Sequence, residues 1–141
     1  MRTTKMLILL LTIIASALSS CGDTEKDPEP SREELLTERE WKVSRVYLNG
    51  QDVTSRPEMA SVRGTRASYR MGGTYTETSG SGAVTVGTWQ LSAGTLTLRP
   101  VTTQEESWRV EELGKGRLTM STTLVMQDGA SVLFRLELVH V

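Results

Sequence analysis

The sequence predicts an all-β domain: an eight-stranded antiparallel meander that closes into a small barrel, preceded by a short N-terminal helix. Three observations predict it. From Glu40 onward apolar residues recur with period two in stretches rich in Val, Thr, Leu and aromatics. Glycine-containing breaks interrupt these stretches at intervals of roughly ten residues. Every junction after the second stretch is too short for a parallel crossover, which needs about a dozen residues or more.

The helix comes first. Ser31 and Glu34 in "SREE" have the spacing of a capping box, and Leu35 and Leu36 supply an apolar side, so residues 31–39 read as a helix that needs a partner to be stable. The eight strands follow at 40–48, 66–71, 74–79, 83–92, 95–101, 107–113, 117–126 and 131–141. Their junctions, such as Met71-Gly72-Gly73 and Gly114-Lys115-Gly116, carry the glycine that tight hairpins favour. In the seventh strand Leu118, Met120, Leu124 and Met126 share one face, with Thr119, Ser121 and Thr123 opposite. In the eighth, Val132, Phe134, Leu136 and Leu138 oppose Arg135 and Glu137, so each strand has one core face and one wet face. Closure of such a meander removes its exposed edges. Only the first connection, 49–65, is long, and its "RPEMASVRG" suits a short helix or a lid at one rim.

Ahead of the domain, Arg2 and Lys5 precede an apolar run from Met6 to Ala15, followed by small residues: the order of a secretory signal. The run is about half the 20 residues that a membrane span requires. It ends in Leu18-Ser19-Ser20-Cys21, which resembles the lipobox of bacterial lipoproteins. That resemblance implies cleavage after residue 20 and a lipid, palmitate included, on Cys21, the only cysteine of the chain. The organisation expected is a signal peptide at 1–20, an acidic lipid-anchored tether at 21–30 and a barrel domain at 31–141. Gly22 stands where an aspartate would resemble an inner-membrane retention signal, so the outer membrane is the expected address. Asp23, Glu25 and Asp27 are similar to surface-export signals and also ordinary for a solvated linker, which leaves surface-facing and periplasm-facing placements open.

Charge excludes one class of partner. The 16 bases and 17 acids of the chain become 14 and 17 once Arg2 and Lys5 leave with the signal peptide. Six of the acids lie in residues 22–34, so residues 35–141 hold 11 acids against 12 bases. A near-neutral domain lacks the concentrated basic surface that nucleic acid demands.

Within the domain, "EWKVSRVYLNGQDVT", "GGTYTETS" and "GTWQLSAGTLTL" together resemble the small lipocalin-like domains carried on lipid anchors by Gram-negative bacteria. Trp41, Asn49-Gly50, Gly73 to Tyr75, Gly87 to Trp89 and Leu96 to Leu98 take the places of that pattern in order, over residues 35–101. Longer lipocalins have glycine two places before the first tryptophan; this chain has Arg39. The resemblance implies a lipocalin-like barrel that binds a small apolar or amphiphilic ligand. An eight-stranded barrel is wide enough either to be filled by side chains or to hold one small molecule. The filled alternative would be an interaction or structural module of an outer-membrane assembly, with an envelope protein as partner.

No catalytic constellation is present in the sequence, so no enzyme, metal or cofactor is expected. His140, the only histidine, is expected to be solvated or satisfied near the C-terminus. Glu105-Glu106 and Glu111-Glu112 are adjacent on strands, where neighbours point to opposite faces and cannot flank one bond. Tyr47, Tyr69, Trp89 and Trp108 are the candidate ligand-binding residues, and they also suffice to fill a small core. Arg56, Arg63, Arg66 and Arg70 are a candidate rim for an anionic group, or a scatter of solvated arginines around the long loop.

Overall fold

The computed structural model of the chain describes residues 27–141; the expected leader at 1–20, the lipidation site Cys21 and most of the tether lie outside the described residues. Helix α1, Arg32–Thr37, begins with the expected capping box. The Glu34 N–H donates to Ser31 Oγ at 3.1 Å, and Glu34 Oε2 accepts from the Ser31 N–H at 2.6 Å. The helix stops short of residue 39 because the chain must turn to bring Trp41 inside. The Trp41 Nε1–H donates to the Leu36 carbonyl at 2.8 Å, which ties the helix to the first strand.

Nine strands follow: β1 Trp41–Leu48, β2 Gln51–Asp52, β3 Arg66–Arg70, β4 Thr74–Thr78, β5 Val84–Ser92, β6 Thr95–Pro100, β7 Glu106–Leu113, β8 Arg117–Val125 and β9 Ser131–His140. All eight predicted strands are present, each end within one residue of its expected place. The addition is β2, which folds back on β1 through Asn49-Gly50, two residues whose φ values of 47° and 79° suit a tight hairpin turn. The sheet order is β2-β1-β3-β4-β5-β6-β7-β8-β9 with every neighbouring pair antiparallel, and β1 also pairs with β9 from Trp41↔His140 to Leu48↔Phe134. The eight long strands thus form a closed antiparallel barrel, as expected of a small lipocalin-like fold.

The seam between β1 and β3 is the narrowest. Only Trp41↔Ala67 and Lys42↔Arg66 pair there, extended by a Val43 N–H bond to the Thr65 carbonyl at 3.0 Å. The long connection covers the remainder with a 3-10 turn, Pro57–Met59, and helix α2, Ala60–Arg63, whose Met59 and Val62 pack on the core. This lid is pinned at its far side to the β4–β5 turn. The Gly80 N–H donates to the Ser61 carbonyl at 2.7 Å, and a Cβ on Gly80 would lie 2.7 Å from the Ala60 and Ser61 carbonyl oxygens. Glycine is required there by close approach rather than by φ.

The alternating strands give the barrel two unlike ends. At the base lie α1, the start of β1 and the turns 71–73, 93–94 and 114–116; at the mouth lie the lid and the turns 79–83, 101–105 and 126–130. The base is closed by Leu36, Trp41, Leu96 and Leu118, all essentially inaccessible. The face assignment of β8 needs correction. Leu124 and Met126, expected in the core, are exposed, because β8 pairs with β7 only from Leu118 to Ser121 and runs on with β9 as far as Val125↔Ser131. The hairpin outruns its neighbours. Conversely Thr119 and Ser121, expected wet, are buried beneath outer-face polar side chains: Ser121 Oγ donates to Glu111 Oε1, and Glu111 in turn pairs with Arg135 at 2.9 Å.

Candidate functional site

The upper half of the barrel is not filled. Between the packed base and the lid lies a cavity of about 150 Å³. Its apolar wall comes from Val43 of β1, Leu98 of β6, Met120 of β8, and Phe134, Leu136 and Leu138 of β9, with Val62 of the lid above. Its polar wall comes from Thr65, from Tyr69 of β3, from Glu77 of β4 and from Glu106 and Trp108 of β7. Period two explains the membership. Ala67 and Tyr69 point inward from β3, Tyr75 and Glu77 from β4, and Glu106, Trp108 and Val110 from β7.

Two carboxylates therefore face one small space. Glu77 is half-buried; loss of hydration, and then the negative charge of Glu106, push its carboxyl above the ordinary carboxylate range. Glu106 stands at the exposed rim, and its Oε2 accepts the Trp108 indole N–H at 3.2 Å. Tyr69 is 3% exposed and stacks on Tyr75 at 6.1 Å between ring centres. Burial first, then the Glu77 charge, push both phenols upward, Tyr75 to about 12. Trp108 and Phe134 meet at 5.9 Å with their rings tilted by 55°. Among the described residues no group of three or more His, Cys, Asp or Glu is placed to hold a metal ion.

The sequence candidates divide. Tyr69 and Trp108 line the cavity. Trp89 belongs to the base: it meets Tyr69 edge-on at 6.1 Å and its Nε1–H donates to the Arg70 carbonyl at 3.0 Å. Tyr47 lies on the outer face, where the Arg135 guanidinium sits 5.1 Å above its ring. The reason is a β-bulge between Val43 and Arg45, which turns Val46 and Leu48 inward and shifts Tyr47 out of the alternation begun by Trp41.

The four arginines do not form one rim. Arg66 pairs with Glu40 at 3.0 Å on the outer face, and Arg70, at the base end of β3, donates to Thr76 Oγ1. Arg56 and Arg63 sit on the lid connection, both exposed, with Arg63 donating to the Thr54 carbonyl at 3.1 Å. His140, expected to be solvated or satisfied, is half-buried 4.2 Å from the Trp41 ring, and its buried Nε2 has no partner among the described residues.

Glu77 and Glu106 are cavity-lining side chains that the aromatic search missed. The signal was present in the alternation: Glu77 has the parity of Tyr75, and Glu106 that of Trp108. The expectation that adjacent carboxylates diverge does describe Glu105 and Glu106, since Glu105 pairs with Arg99 at 2.7 Å outside while Glu106 turns in. Comparison of the chain with protein-family models and with curated proteins finds no match.

Proposed function

We propose that this protein is an outer-membrane lipoprotein, anchored through lipid on Cys21, whose barrel binds a small amphiphilic molecule and catalyses no reaction. The observation that carries the ligand reading is the interior cavity, with its aliphatic and aromatic wall on one side and its carboxylates and phenol on the other. At about 150 Å³ it is smaller than the roughly 300–1,000 Å³ of drug-sized pockets. Its size matches a molecule of about the bulk of benzene. A wall of two chemistries favours an amphiphile over a plain hydrocarbon, because a hydrocarbon leaves the half-buried Glu77 carboxylate without a partner.

Direction supports the anchored reading. Residues 27–30 run beside Leu35 and the Gly114-Lys115 turn at the base, so a lipid ahead of them places the mouth away from the membrane. Native mass spectrometry of the full chain, ejected from lipid nanodiscs, is expected to show a bound molecule of low mass. An apoprotein that also binds no small amphiphile on titration would defeat the ligand reading. Cys21→Ala is expected to abolish palmitate labelling and move the protein to the soluble fraction; retained label refutes the anchor.

A second role, as a docking module in an envelope assembly, has an observation of its own. The tip of the β8–β9 hairpin stands clear of the barrel with Leu124, Val125, Met126 and Leu133 exposed. Substituting Val125 by Asp is expected to remove any protein neighbour captured by cross-linking on cells, and to leave interior ligand binding unchanged.

A further inference from the structure

We propose that the interior ligand is a small organic cation, a primary ammonium on a short apolar body, whose nitrogen sits between Glu77 and Glu106 within reach of the Tyr69 oxygen. This rests on the interior-binding reading above and adds the chemical class of the ligand.

Charge balance is the first argument. The ion pairs of the described residues are Arg66 with Glu40, Arg99 with Glu105, and Arg135 with Glu111 and Glu137. All of these lie on the outer face or outside the strands, and none involves Glu77 or Glu106. The half-buried Glu77 thus faces the rim carboxylate of Glu106 across one cavity with no cation of the described residues paired to either, an arrangement that costs free energy until a positive charge arrives.

Hydrogen bonding is the second argument and is independent of charge. Tyr69 is 3% exposed and lines the cavity, with its hydroxyl bonded to no side chain of the described residues. A hydroxyl that opens onto such a space is free to accept a donor there. An ammonium has three donors, and Glu77, Glu106 and Tyr69 present three acceptors around one space. The Trp108 N–H bond to Glu106 holds one of those carboxylates in place before a ligand enters.

The rest of the wall selects the remainder of the molecule. Met120, Phe134 and Leu136 are suited to an apolar body, and the faces of Trp108 and Phe134 attract a cation held near them. A bare divalent ion would use none of this surface and would ask for about six oxygen ligands. An anion of the same shape is repelled by both carboxylates.

Benzylamine, benzyl alcohol and benzoate have the same apolar body and differ in charge, so together they isolate the inference. They are titrated calorimetrically into the full chain in phosphatidylcholine nanodiscs, with empty nanodiscs subtracted. At pH 7 benzylamine is expected to bind at least tenfold tighter than benzyl alcohol, and benzoate not to bind. Glu106→Gln, at the exposed rim, and Glu77→Gln are each expected to erase that preference while the cooperative melt persists. Should Glu77→Gln fail to fold, Glu106→Gln carries the test alone. Equal binding of the amine and the alcohol, or an amine preference that survives in both folded variants, overturns the cation inference and leaves interior binding standing. Failure of all three probes overturns both.

Discussion

The base and the mouth of this barrel are built from the same eight strands and the same alternation, yet one is solid and the other hollow. At the base, Trp41 reaches across with its indole bonded to the Leu36 carbonyl, and helix α1, Leu96 and Leu118 close the remaining space. At the mouth the inward positions fall to Glu77 and Glu106, with Tyr69 lining the cavity beneath them, and the covering element is a lid rather than a plug. Close packing is thus concentrated at the base and open space at the far end. A half-buried carboxylate such as Glu77 lowers stability unless a partner satisfies it, and it stands at the end that contributes less close packing.

The most direct way to break this division is to cut the same side chain from each end. Trp41→Ala removes a fully buried indole and its hydrogen bond, with an expected loss of about 3–5 kcal/mol, enough to unfold a domain of ordinary stability. Trp108→Ala, beside an existing cavity, is expected to cost distinctly less in urea denaturation. Equal losses would show that the mouth supports the fold as much as the base does. A middle-sized effect is expected at the lid, where Gly80→Ala would force a Cβ to within 2.7 Å of the Ala60 and Ser61 oxygens. A cost of about 1–3 kcal/mol is expected. Hydrogen exchange should rise in residues 60–65 and remain slow in β8 and β9; uniform acceleration would mean that the lid is not a separate unit.

The smallest effect has the opposite sign. The folded Glu77 carboxyl titrates above its ordinary value of 4.5, so the native state holds a proton that the unfolded chain has already released. Stability therefore falls as pH rises from about 4.5 through the folded value, and stays lower above it. Glu77→Gln is expected to remove that fall and to raise the melting temperature at pH 7. A lower melting temperature, with the slope unchanged, would show that Glu77 contributes to packing and is not the uncompensated charge of the mouth.

The sequence carried the strands almost to the residue, because period two and glycine-bearing junctions are local signals. It placed Tyr69 and Trp108 on inward faces, where they line the cavity, for the same reason. It failed at Tyr47, Leu124 and Met126, and the failures share a cause. A bulge between Val43 and Arg45 exists only because β1 must match β9 while curving, and an alternation counted from Trp41 has no access to that extra residue. The exposure of Leu124 and Met126 depends on where β7 ends beside β8, which is a property of two strands rather than one. Arg66 and Arg70 fall on the outer face by parity alone, so their failure to join a rim was legible in "RASYR".

By itself the sequence determined an all-β meander with a capped helix before it, and which residues alternate along each strand, since these follow from backbone geometry acting over a few residues. Only the tertiary structure decided that the base is filled and the mouth is not, and that Glu77 from β4 and Glu106 from β7 face the same cavity. Those two residues are far apart along the chain, and nothing local relates them. The barrel does so, because closure of β1 on β9 bends the sheet until inward faces from opposite sides look into one space.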